Sequence, residues 1–126
     1  YTYAYEFAKK AFEVKASEIH LVSSVGADSN SNNFYLKTKG QIEDAILGLK
    51  FEYTRIYRPS LLIGERSETR LLEKLGQLIS PLFNSFFLGA MKKYRSIDAK
   101  KVARSMVYNN EEKSLKYYYY NDFINQ

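Results

Sequence analysis

Two tyrosines in this chain stand four residues ahead of a lysine, Tyr5 with Lys9 and Tyr35 with Lys39. A phenol titrates near ~10, so alone it is a poor proton donor or acceptor at neutral pH. An ammonium one helical turn away favours the phenolate and brings the group toward working range. Four residues is also the spacing that puts both side chains on one helix face. Among 12 tyrosines in 126 residues, chance supplies about one such pair, so spacing alone decides nothing. Proton transfer at a substrate oxygen needs a further hydroxyl, ideally from the end of a neighbouring strand, where open α/β sheets bind ligands. Only Tyr35 and Lys39 have that setting. The apolar run Ile19, His20, Leu21, Val22 ends in Ser23 and Ser24 just upstream, and the polar loop SSVGADSNSNN leads into the pair.

The elements that must position these groups follow from hydrophobic periodicity. Residues 3–14 carry Ala4, Phe7, Ala8, Ala11 and Phe12 at helical spacing, which predicts an amphipathic helix. Residues 18–24 predict a buried strand, because the apolar run is continuous rather than alternating. The Ser-, Asn-, Gly- and Asp-rich residues 23–33 predict a loop. Residues 34–49 predict a helix with Ile42, Ala45, Ile46 and Leu49 on one face. Residues 51–58, FEYTRIYR, predict a strand that stops at Pro59. Helices are expected at 68–79 and 98–108, and a last strand at 116–120, KYYYY. Strands alternating with helices imply a parallel sheet, hence an α/β protein. Residues 80–94 lack a clear period and leave several readings open: a substrate lid, a membrane-touching loop, a partner surface, or buried irregular structure.

Composition narrows the function classes. The net charge of +5 arises from 19 basic and 14 acidic residues spread along the chain, which reads as a solvated basic face rather than a nucleic-acid footprint. The absence of cysteine excludes disulfides and thiolate metal sites and fits a reducing compartment. No apolar run approaches the ~20 residues of a membrane span, so the chain is read as not transmembrane. His20 is the one histidine and has no partners at metal spacing, so no metal site is expected. The length is that of one domain, residues 1–126, and a first residue other than Met suggests a processed, trimmed or partial chain.

In this order, Ser24, Tyr35 and Lys39 resemble the Ser-Tyr-Lys set of the short-chain dehydrogenase/reductase superfamily. The stretches HLVSSVGADSNS, NFYLKTKGQIE, LKFEYTRIYRPSLLIGERSETR and DAKKVARSMV resemble its atypical, Tat-interacting-protein-like, NAD(P)-binding branch. The resemblance implies that Tyr35 handles the proton at the substrate oxygen, that Lys39 lowers its pKa and contacts the nicotinamide ribose, and that Ser24 holds the carbonyl oxygen. It further implies that Pro59, Ser60, Leu61 and Leu62 line a nicotinamide pocket. Arg66, Glu68 and Arg70 match a family block, and a helix-start salt-bridge cluster is the slightly favoured explanation of them.

The cofactor would be NADP or NAD, with a carbonyl or hydroxyl compound as substrate. Yet the six glycines, at 26, 40, 48, 64, 76 and 89, make no phosphate-binding fingerprint. The expected architecture is therefore the second half of a Rossmann-like doubly wound parallel sheet, about three strands with flanking helices, lacking the N-terminal glycine-rich βαβ half. NADP would bind only with that missing half present.

Two functions follow: an intracellular NAD(P)H-dependent oxidoreductase, cytoplasmic or mitochondrial, or a non-catalytic scaffold or accessory subunit of a larger complex. In either, the missing N-terminal half or a partner chain is expected to cover the open edge of the strand bearing Ile19 to Val22.

Overall fold

The computed structural model describes residues 1–60, 62–63, 97–108 and 112–125. Helix α1 (Thr2–Glu13) leads into β1 (Glu18–Val22), α2 (Phe34–Leu49) and β2 (Tyr53–Tyr57). The short strands β3 (Leu62–Ile63) and β4 (Ile97–Asp98) follow, then α3 (Ala99–Val107), β5 (Leu115–Tyr118) and α4 (Tyr120–Ile124). The main sheet has the order β1-β2-β5, and β3 with β4 forms a separate pair. All pairings are parallel: Glu18 lies opposite Tyr53, Val22 opposite Tyr57, and Tyr57 in turn opposite Tyr118. The α/β class and the flanked three-stranded parallel sheet agree with the sequence reading.

Local chemistry sets the boundaries. Lys15 takes a left-handed conformation (φ 62°) after α1, and the Ala16 N–H reaches back to Ala11 O at 3.0 Å, closing the helix end. Asn33 caps α2, its Oδ1 accepting the Leu36 N–H at 3.1 Å, and Asp98 caps α3 through the Lys100 N–H at 2.8 Å. The last strand ends at Tyr118, two residues before the expected Tyr120. The Tyr119 N–H donates to Asp122 Oδ2 at 2.8 Å, and this reciprocal cap turns the tyrosine run into α4. The second strand is likewise shorter than residues 51–58, and buried Phe51, just before it, packs with the α1 and α2 side chains. The expected helix at 68–79, the block of Arg66, Glu68 and Arg70, and residues 80–94 lie outside the described residues.

Period-two alternation sorts the sheet into two faces. On one, Ile19 packs with Ala8 of α1, with Ile42 and Ile46 of α2, and with Phe51. On the other, Tyr57 and Tyr118 pack with Ile97, with Val102 of α3 and with Phe123 of α4. Ile46 is 2% exposed, and burying such a side chain contributes about 1.5–3 kcal/mol. Helices α1 and α2 thus share a face, and β1 is an outer strand of the described sheet.

Candidate functional site

The parity of the β1 hydrogen bonds decides what its far end presents. Ser23 N–H donates to Tyr57 O and Ser17 O accepts from Tyr53 N–H, so odd-numbered residues of this strand direct their backbone toward β2. Glu18, His20 and Val22 therefore direct theirs toward the outer edge. Lys39 Nζ donates to Val22 O at 3.1 Å and lies 5.9 Å from the Tyr35 ring centroid. One turn of α2 thus places both side chains on the face that meets the strand end, and the ammonium caps the last edge-facing carbonyl. Burial pushes the Lys39 ammonium below the usual lysine value of 10.5, with Glu43 opposing.

The loop between β1 and α2 is a built structure rather than a polar tether. Val25 N–H donates to Pro59 O at 2.9 Å, and Asp28 N–H donates to Leu36 O at 3.2 Å. Asp28 Oδ1 accepts the Asn30 N–H at 2.9 Å, and Ser31 Oγ accepts the Asn33 N–H at 3.1 Å. The loop backbone crosses α2 at Gly40, where an added Cβ would come within 2.8 Å of Asp28 Cα and closer still to Ser29 N. Gly26 turns at φ 79°, and the space beside it is filled by Leu36.

The residues singled out by sequence divide accordingly. Tyr35, 38% exposed, and Lys39 are brought together. Ser24 stands at the same strand end, but its Oγ donates to Val25 O at 3.3 Å, and no described hydrogen bond joins it to Tyr35 or Lys39. The neighbouring Ser23 is the buried hydroxyl, with no hydrogen-bond partner for its Oγ among the described residues. Pro59 is buried, Ser60 half-buried and Leu62 exposed at the surface, while Leu61 lies outside the described residues. Gly26 and Gly40 are both occupied in packing the loop against α2. Among the described residues no group of three or more His, Asp or Glu side chains could hold a metal ion. None of the described helices is long and apolar enough to cross a membrane.

Two constellations escaped the sequence reading. Glu43, buried on α2, accepts two bonds from the Arg58 guanidinium at the end of β2: Nε at 3.1 Å and Nη2 at 2.5 Å. Arg58 also donates to Tyr119 Oη at 3.3 Å and lies over the Tyr117 ring at 4.7 Å. The carboxylate's hydrogen bond and charge hold Arg58 firmly protonated. On the opposite face, buried Arg55 meets Glu18 at 3.0 Å and donates to Lys113 O at 2.5 Å, while Tyr57 Oη and His20 Nδ1 are 2.9 Å apart. Neither set has a sequence signature, because each joins residues from different elements.

The comparisons with known proteins correct the family reading. No protein-family model matches the chain. A Lodderomyces elongisporus protein is 52% identical over 66 residues, which span 52% of this chain and 28% of that protein. A Coccidioides immitis protein is 40% identical over 102 residues (81% of this chain, 42% of that protein). One from Candida albicans is 41% identical over 101 residues (79% and 44%). Each is named Protein FMP52, mitochondrial. The chain spans less than half the length of these relatives. The relatives carry the name of a different family, so the assignment to the short-chain dehydrogenase/reductase superfamily is withdrawn, and with it the oxidoreductase and NADP descriptors.

A direct measurement follows for Lys39. Its folded-state pKa lies below the unfolded value, so the fold disfavours the charged amine at neutral pH, and this penalty is relieved as pH rises through the folded pKa toward 10.5. An NMR titration following the Lys39 side chain should give a midpoint below those of the exposed lysines. A midpoint at or above the ordinary value would overturn the burial argument.

Proposed function

We propose that this chain is an assembly module of a mitochondrial protein, acting as a non-catalytic scaffold or accessory subunit whose β1 edge is covered by further polypeptide. The observation that carries this reading is the outward-facing backbone of β1: its N–H groups at His20 and Val22 point away from β2, on a strand whose Ile19 is buried in the core. Among the described residues no strand pairs with that edge, and an apolar parallel strand with an open edge templates pairing with another chain. Mitochondrial naming of the relatives supports the compartment.

Topology specifies how an intramolecular strand would reach that edge. Helix α1 packs on the same sheet face as α2, which connects β1 to its parallel neighbour β2. Crossover connections are right-handed in nearly all parallel sheets. A strand entering through α1 by that rule lies on the β1 side away from β2. The capping of Val22 O by Lys39 marks where the edge stops being available.

Hydrogen exchange tests this reading. In the 126-residue chain alone, the amides of His20 and Val22 should exchange rapidly while Leu21 and Ser23, bonded to β2, stay protected. The isolated chain should also self-associate. In the full-length protein purified from mitochondria, His20 and Val22 should become protected. A monodisperse, cooperatively unfolding monomer of the isolated chain, or fast exchange at both amides in the full-length protein, would sink the proposal.

A further inference from the structure

The sheet face away from α1 and α2 holds a chain of proton and ring contacts that the assembly role does not use. Glu18 and His20 lie two residues apart on one face of β1, and Tyr57 is the diagonal neighbour of His20 on β2. Glu18 Oε1 lies 3.3 Å from His20 Nε2, and Tyr57 Oη lies 2.9 Å from His20 Nδ1. The negative charge of the Glu18 carboxylate beside Nε2 favours the tautomer with the proton on that nitrogen. Nδ1 is then the acceptor and the Tyr57 hydroxyl donates to it. The rings are stacked: His20 and Tyr57 centroids are 5.6 Å apart at 12°, and Tyr57 and Tyr118 centroids 4.6 Å apart at 14°. Tyr57 is fully buried and Tyr118 is 4% exposed.

We infer that Tyr57 and His20 form a proton-coupled electron-donor site, in which Tyr57 gives one electron to an outer-sphere, high-valent metal oxidant as its phenolic proton passes to His20. The step balances. The oxidant gains one electron, the Tyr57 O–H bond breaks, and an N–H bond forms at His20 Nδ1. The products are a neutral tyrosyl radical and an imidazolium whose charge the Glu18 carboxylate offsets.

Three features suit the pair to this chemistry. A base at 2.9 Å is within proton-transfer reach before any electron moves. Burial, with Tyr118 and Glu18 adding and Arg55 opposing, keeps the phenol protonated well above the ordinary tyrosine range. The electron therefore leaves a phenol, and the proton must have an acceptor at hand. The stacked Tyr118 ring gives the radical an adjacent aromatic surface toward β5. Exposed tyrosines such as Tyr3, 94% exposed, have only water to take their proton.

Flash oxidation of the full-length protein by photogenerated tris(bipyridine)ruthenium(III), followed by absorbance and by freeze-quench electron paramagnetic resonance, tests the site. Two phases of tyrosine oxidation are expected: a fast one from Tyr57 and a slow one from exposed tyrosines. Tyr57→Phe should abolish the fast phase. His20→Gln, which retains a hydrogen-bond acceptor but not a base, should merge it with the slow phase. In the unmodified protein the fast phase should slow in D2O, a readout independent of whether either variant folds. A fast phase that survives Tyr57→Phe, that His20→Gln leaves unchanged, or that shows no solvent isotope effect would overturn the assignment.

Discussion

Replacing Gly40 by alanine is expected to destabilise the fold by about 3 kcal/mol or more, while the same substitution eight residues along the same helix stabilises it. At Gly40 the new methyl would overlap Ser29 N and the Asp28 backbone, and backbone cannot swing aside as a side chain can. The loop would have to lift from α2, breaking the Asp28 N–H to Leu36 O bond that holds it there. At Gly48 nothing lies within 4 Å of an added Cβ. There, alanine only lowers the backbone entropy of the unfolded chain, a gain of about 0.5–1 kcal/mol. Urea denaturation of the two variants should give midpoints displaced in opposite directions. A tolerated Gly40→Ala would mean that the loop does not lie across α2.

The second large effect is expected at the buried ion pair. Glu43→Ala should cost about 3–5 kcal/mol, because it leaves the Arg58 guanidinium half-enclosed without its carboxylate. The loss exceeds that of a cavity alone, since Arg58 also anchors the Tyr119 hydroxyl and covers the Tyr117 ring. The double variant Glu43→Leu with Arg58→Met removes both charges and should recover much of that loss. Chemical denaturation across the full cycle checks this. A double variant as unstable as the sum of the two singles would show that the residues act independently. The pair ties α2 to the end of β2 and to the residues that cap α4, so hydrogen exchange in α4 should rise in Glu43→Ala as well.

Much of the scaffold was legible because it rests on near-neighbour periodicity. The helix over residues 34–49 was located to the residue, since its apolar face and its polar leader are local signals. The strand at Ile19 was legible from an unbroken apolar run before small residues. The last strand was overextended because four successive tyrosines carry β propensity, while a single carboxylate at Asp122 redirects the backbone at Tyr119. The site was legible only in part. Four-residue spacing correctly placed Tyr35 and Lys39 on one face, but spacing does not say which acceptor the ammonium reaches. A family inference drawn from that pair and its flanking blocks went further than the residues could carry.

The amino-acid sequence by itself determined the α/β class, the parallel arrangement of the main strands and the shared face of Tyr35 and Lys39. These depend on residues a few positions apart, where helical and extended periods leave direct marks. Only the tertiary structure decided that Lys39 caps Val22 O, that Gly40 is where the loop crosses α2, that Glu43 meets Arg58, and that His20 meets Tyr57. Each joins groups on different elements. Their meeting depends on strand register and helix packing, and three-dimensional packing is what turns scattered polar residues into buried partners.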